Sequence, residues 1–289
     1  MKPLIFCSRE EWRAVQGVLT DIDDTLTTDG RLAPAAREAL QRLAQAGVPV
    51  IAITGRPAGW SEPMARDWPV LGIVAENGGV LLRRGDAGPD GVVHADGVHE
   101  SSANRPVERL FTQDAPTRRQ HAARLRQCTD DILARVPGAR LATDSAGRQT
   151  DIAIDHSEHA HLPPEGIEAV CGIMRAHGLQ ATVSSIHING WIGSHNKWTA
   201  AEWAVPVLTG RDFDPARWLY VGDSSNDQLM FERLPLTVGV ANIRRFLPVL
   251  AHLPAYVTEG ERGDGFAEVV QALLAARATQ AAGDATTAA

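Results

Sequence analysis

The sequence predicts an α/β protein: a doubly wound parallel-sheet core of Rossmann-like type that carries an inserted α+β cap domain. Short runs that are apolar almost throughout recur at residues 18–20, 48–53, 72–75, 218–221 and 236–240, as expected of parallel strands covered by helices on both faces. Strand–helix–strand order at this spacing implies right-handed crossovers. Between about 98 and 191 the pattern changes to single-faced alternation, the mark of an antiparallel sheet with one open side.

Each element has its own signal. Residues 1–16 form a lead-in whose Pro3, Leu4, Ile5 and Phe6 are expected to pack on the surface of the fold. The first strand runs into Asp21-Ile22-Asp23-Asp24-Thr25, and carboxylates cannot continue inside a core. It therefore delivers them to an edge. A turn-rich segment through Asp29 and Gly30 follows, then a helix from about Pro34 to Ala46 with Leu40 and Leu43 inward and Gly47 as its stop. The run 48–53 ends in Thr54-Gly55-Arg56, and 72–75 ends in Glu76-Asn77-Gly78-Gly79. Strands are expected at 80–84 and 92–94. Asp114-Ala115-Pro116 opens a long amphipathic helix to about Arg135. In 148–155, Ile152 and Ile154 share one face and Asp151 and Asp155 the other. A helix over 163–176 and alternating stretches at 180–184 and 186–192 complete the insert.

Lys197 then begins a helix expected to reach Ala204, and the strand 218–221 runs into Gly222-Asp223-Ser224-Ser225-Asn226-Asp227. A helix starting within that loop ends before Pro235, and a last helix covers about 265–276. The tail 277–289, rich in Ala, Thr and Gly, reads as disordered. The expected division is core at 1–97 and 192–276, with the cap at 98–191.

Bulk properties narrow the function. A chain of 289 residues with 44% apolar residues can bury a sizeable core. Its net charge of −7 argues against a nucleic-acid partner. No stretch approaches the roughly 20 apolar residues of a membrane span, and residues 1–15 lack a signal-type apolar core. Cys7, Cys128 and Cys171 have no metal-type spacing and read as reduced thiols. A cytoplasmic monomer or homodimer with no membrane partner is expected. His156, His159 and His161 read as exposed histidines rather than a metal cluster.

The polar ends of the strands converge on one crevice in such a sheet, where ligands bind. Asp21 and Asp23 lie on one side of an extended strand, and two close carboxylates call for a hard divalent cation such as Mg2+. Asp21, Asp23, Asp223 and Asp227 with Lys197 suit metal-assisted chemistry on a phosphoryl group. Thr54 supplies a hydroxyl donor. Gly55, Arg56 and Asn77, at the same strand ends, are further substrate-contact candidates. His187, Asn189 and Trp191 share one face of 186–192, which looks either into the crevice, where it suits a sugar, or out to solvent.

These segments resemble, in order and spacing, the four motifs of the haloacid dehalogenase superfamily. Asp21-Ile22-Asp23-Asp24-Thr25 matches the first, Thr54 the second, Lys197 the third and Gly222 to Asp227 the fourth. The insert between the second and third resembles the type IIB cap of the Cof-like branch. The resemblance implies that Asp21 is the nucleophile and Asp23 the general acid, then base. It implies that Asp21, the backbone carbonyl of Asp23 and Asp223 hold Mg2+, supported by Asp227 with Asn226 nearby. Thr54 and Lys197 would hold the transferred phosphoryl group. Asp23, which the family's dehalogenases lack and its transport ATPases replace with Thr, favours a phosphatase or phosphomutase. Lys197 is followed by Trp198 where Lys-Gly is common in this branch. The expected function is Mg2+-dependent hydrolysis of a small phosphorylated metabolite, a sugar phosphate first of all, through an aspartyl phosphate. A sugar phosphomutase on the same residues is one alternative. The other, a non-catalytic phosphometabolite sensor, would not need the Asp21/Asp23 pair.

Overall fold

The structure, a computed structural model, describes residues 1–85 and 106–287, with side chains as far as 278. The first core segment holds β1 (Lys2–Pro3), α1 (Arg9–Ala14), β2 (Gly17–Thr20), the small hairpin β3 (Thr27–Thr28) and β4 (Arg31–Leu32), α2 (Pro34–Gln45), β5 (Val50–Ile53), α3 (Ala58–Asp67), β6 (Gly72–Ala75), β7 (Val80–Arg84) and β8 (Val107–Phe111). The cap follows with α4 (Ala115–Arg135), β9 (Arg140–Leu141), β10 (Asp151–Asp155), α5 (Pro164–Ala176), β11 (Gln180–Val183) and β12 (His187–Trp191). The chain returns to the core through α6 (Lys197–Thr209), β13 (Trp218–Gly222), α7 (Gln228–Arg233), β14 (Leu236–Gly239), β15 (Tyr256–Val257) and α8 (Arg262–Thr287).

The core sheet has the order β1-β15-β14-β13-β2-β5-β6-β7-β8, and β2, β5, β6, β13, β14 and β15 pair in parallel. Alternation along each strand divides the core between two faces. Val18, Val50 and Ala52 pack under α2 and α8, whereas Leu19, Ile51 and Ile53 pack under α6 and α7. Burying each Val, Leu or Ile contributes about 1.5–3 kcal/mol. The cap sheet, β11-β12-β10-β9, is antiparallel throughout. Ile154 and Ile188 on its apolar face pack with Leu125, Cys128, Val170 and Met174 of α4 and α5. Its other face is turned to the core.

Several expectations are corrected. Val107–Phe111 pairs antiparallel with β7, so it belongs to the core sheet and the cap begins after it, not at residue 98. The strand expected at 92–94 lies outside the described residues. Ile5 and Phe6 stay 86% and 68% exposed instead of packing down. Within the lead-in 1–16 the structure forms α1, whose start Ser8 and Glu11 close with a capping box. α6 runs through Pro206 to Thr209, because Ala204 and Val205 still pack on the sheet, and stops at Gly210 in the left-handed conformation. The backbone of α8 continues beyond 276 to Thr287.

Glu76 ties the two domains together. Fully buried, it accepts hydrogen bonds from the backbone N–H of Ala58 in the core and of Gln149 and Thr150 in the cap, and from the Thr150 hydroxyl. Its φ is +52°, a conformation that costs about 1–3 kcal/mol and persists because these bonds hold it. Removing the carboxylate strands several buried donors, so Glu76→Ala is expected to cost about 3–5 kcal/mol, read as a lowered midpoint in thermal or urea unfolding.

Candidate active site

β2, β5 and β13 are adjacent and parallel, so their carboxyl ends place Asp21, Thr54 and Asp223 around one point. Asp21 N–H bonds to the Val221 carbonyl, which carries the sheet register to the last residue before the crevice. Carboxylate oxygens of Asp21, Asp223 and Asp227 all lie within 4.8 Å of one another, and all three residues are buried. Burial pushes Asp21 up to about 7 even though Lys197 opposes it, and raises Asp223 well above the usual carboxylate range.

Lys197 sits on the first turn of α6, which Asn196 caps by accepting from the N–H of Trp198 and Thr199. Its ammonium is 2.6 Å from Asp21 Oδ1 and 2.6 Å from Asp227 Oδ1. Burial works against that charge, but the two carboxylates outweigh it and hold the pKa above its ordinary value. Asp227 is fully engaged: Oδ1 also accepts from the Tyr220 hydroxyl, and Oδ2 from the N–H of Asp223 and Ser224. Asp223 differs. Its Oδ2 accepts from Asn242 Nδ2 at 3.0 Å, while its buried Oδ1 has no partner among the described residues. A buried carboxylate oxygen without a donor, beside Asp21, fits a hard divalent cation.

Asp23 turns away from that cluster, and both its oxygens accept from Arg56 Nε at 3.1 Å. Burial, only partly offset by Arg56, raises its pKa. The same guanidinium reaches the cap, with Nη1 on Asp144 at 3.2 Å and Nη2 on Glu158 at 2.8 Å, and lies over the Trp60 ring. Glu158 is in turn bonded to His187 Nε2, which, with Arg56, holds its carboxyl down at about 2. Thr54 Oγ1 accepts from the Arg56 N–H, leaving its hydroxyl hydrogen to donate. The Gly55 carbonyl accepts from Arg148 at 2.9 Å and from Asn189 Nδ2 at 3.2 Å. A Cβ at Gly55 would crowd Asn77 and Asn189, each 3.2 Å away, which explains glycine at this close approach.

The polar face of β12 therefore looks inward. His187 and Asn189 line a space of about 10 Å3 beside Asp21, Asp23 and Gly55. Trp191 does not join them. Its indole N–H bonds to the His195 carbonyl, and it lines a separate cavity of about 270 Å3 with Lys197, Asn77 and Asn226. Asn226 borders both spaces, its amide oxygen accepting from Ser224 Oγ. Of the three histidines at 156–161, His159 and His161 are exposed as expected, but His156 is half-buried and bonded to the Ser184 carbonyl.

Sequence reasoning missed the residues that join core to cap: Glu76, Asp144, Arg148, Asp151 and Glu158. Asp151 could have been found, since it alternates with Ile152 and Ile154 on the face opposite the cap core. It pairs with Arg148 at 2.9 Å. Asn242 had no signal of its own.

A Rossmann-like core with an inserted α+β cap thus gathers carboxylates and a lysine at parallel strand ends. The model of the haloacid dehalogenase-like hydrolase family matches residues 18–118. Phosphoglycolate phosphatases from Methanosarcina mazei and Methanobrevibacter smithii are 27% and 24% identical, each aligned over 89% of this chain and over 96% and 97% of their own lengths. Among solved structures, a Thermoplasma acidophilum protein superimposes with a TM-score of 0.63 at 16% identity, covering 90% of this chain and 98% of that one. The sucrose-phosphatase of Synechocystis does so at 0.59 and 15%, with the same coverage. Over residues 18–118 the chain is similar to haloacid dehalogenase-like hydrolases, and the solved structures share its fold. No helix among the described residues is long and apolar enough to cross a membrane.

Proposed function

We propose that the chain is a Mg2+-dependent phosphatase that hydrolyses a small phosphorylated metabolite through an aspartyl phosphate at Asp21. The observation that carries this reading is the placement of Lys197 at 2.6 Å from Asp21, with Asp23 held by Arg56 at the same strand end. Asp21 and Asp223, with the carbonyl of Asp23, would hold Mg2+, whose charge screens the phosphoryl oxygens from the attacking carboxylate. Asp21 attacks phosphorus, the bond from phosphorus to the leaving oxygen breaks, and Asp23 gives that oxygen its proton. Asp23 then takes a proton from water, the water oxygen bonds to phosphorus, and Asp21 is released. Thr54 and Lys197 orient the phosphoryl oxygens throughout. The space of about 10 Å3 beside Asp21 is smaller than a phosphate, so the cap must part for entry and shut to exclude water.

Two relatives named for phosphoglycolate, of nearly this chain's aligned length, support a small substrate. A sugar phosphate asks more of the cap face than it offers, because His187, Asn189 and Trp191 are each engaged in hydrogen bonds. Release of inorganic phosphate from a panel of phosphorylated metabolites in Mg2+ tests the proposal. Release from none of them would refute it.

A further inference from the structure

Past Asp23 the crevice opens into a cavity of about 430 Å3 bordered by Asp24, Arg56, Glu158, Ser185, Arg245 and Arg262. Under the function proposed above, Asp23 protonates the leaving oxygen. The leaving group must therefore lie on the Asp23 side of phosphorus, and this cavity is the space there with room for it.

Its charges are unequally committed. Arg56 is taken up by Asp23, Asp144 and Glu158. Arg245 and Arg262 share a single carboxylate: Asp24 Oδ1 lies 2.9 Å from Arg262 Nε, and Asp24 Oδ2 lies 3.9 Å from Arg245 Nη2. The closer contact is off the hydrogen-bond direction, so the Arg262 Nε–H has no hydrogen-bond acceptor among the described residues. Both side chains border the cavity and stay partly open, Arg245 at 53% and Arg262 at 29% exposure, with Arg245 Nε donating to the Asn242 carbonyl. The other carboxylate bordering the cavity, Asp29, is exposed on the turn of the β3–β4 hairpin and forms no ion pair among the described residues.

The backbone is arranged to put an arginine here. Arg262 has φ of +52° and Asp24 of +55°, positions that favour glycine, yet each carries a long or charged side chain. Asn242 holds both: its Oδ1 accepts from the Arg262 N–H at 2.9 Å and its Nδ2 donates to the Asp24 carbonyl at 3.0 Å. The same amide touches Asp223. The arginine is thus fixed by one side chain to the carboxylate cluster.

We infer that Arg245 and Arg262 bind a carboxylate on the leaving group, making this chain selective for phosphate esters of small hydroxy acids. A carboxylate replaces Asp24 as their partner, in the two-point manner that guanidinium favours. The residue assignment rests on the phosphatase reading, and the test separates the two. The ratio of kcat/KM for phosphoglycolate over hydroxyethyl phosphate, which differ in the carboxylate, is measured for the wild type and for Arg262→Gln and Arg245→Gln. A ratio of about 10 or more in the wild type, falling about fivefold or more in each variant and mainly through KM, is expected. Thermal unfolding checks that the variants are folded. A wild-type ratio near 1, or a ratio unmoved by both substitutions, overturns the carboxylate site while phosphate release upholds the phosphatase. Phosphate release from neither substrate nor any other phosphate ester overturns both. If instead the arginines govern preference for a sugar bisphosphate over its monophosphate and not for the acid, the anion is a phosphate and the carboxylate assignment is wrong.

Discussion

Asp21→Asn is expected to lower phosphate release by about 10^4-fold or more, the scale seen when a covalent nucleophile is removed. The amide keeps the shape of the carboxylate but has no charge with which to attack phosphorus. Stability should hold. Lys197 retains Asp227 at 2.6 Å, and one of three crowded buried carboxylates is gone. The melting temperature should therefore stay within a few degrees of wild type or rise, since Asp21 and Asp223 are both pushed up by burial and by neighbouring carboxylates. Phosphate assays on purified protein, with circular dichroism melts alongside, check both halves. A folded variant retaining a tenth of wild-type turnover would remove Asp21 from the reaction.

Chelation should have the second large effect. EDTA is expected to bring turnover to background and Mg2+ to restore it. A ligand that binds only the folded state at 100 times its Kd adds about 2.7 kcal/mol, so saturating Mg2+ should raise the melting temperature by about 5–10 °C. The Oδ1 of Asp223, without a partner among the described residues, is the reason to expect binding there. Asp223→Asn should abolish the thermal response as well as turnover. Full activity in EDTA, or a melt unmoved by Mg2+ in the wild type, would contradict the assignment.

The core was legible because its signals are local. Val18-Leu19-Thr20 before Asp21, and the run 48–53 before Thr54, announce buried parallel strands whose polar ends share a crevice, and β2 and β5 pair as that reading requires. Lys197 was harder to place, lacking the common glycine after it, yet its position at the start of α6 brings it onto Asp21. The cap was legible in its strands but not in its edges. Val107–Phe111 has no clean alternation, and only its pairing with β7 assigns it to the core. The polar contacts between domains were illegible for a different reason. Arg56 joins Asp23 to Asp144 and Glu158, which are 88 and 102 residues away from it in sequence. Nothing local at Asp144 or Glu158 distinguishes a buried partner from a solvated acid. Tertiary pairing decides.

In the proposed reaction Asp21 itself carries the phosphoryl group. Acid quenching of wild-type protein during turnover of a radiolabelled phosphate ester, followed by borohydride reduction and peptide mass spectrometry, tests it directly. Label bound to protein, and homoserine in place of aspartate at position 21 alone, is the predicted result. Turnover with no protein-bound phosphate, or reduction at another carboxylate, would contradict it.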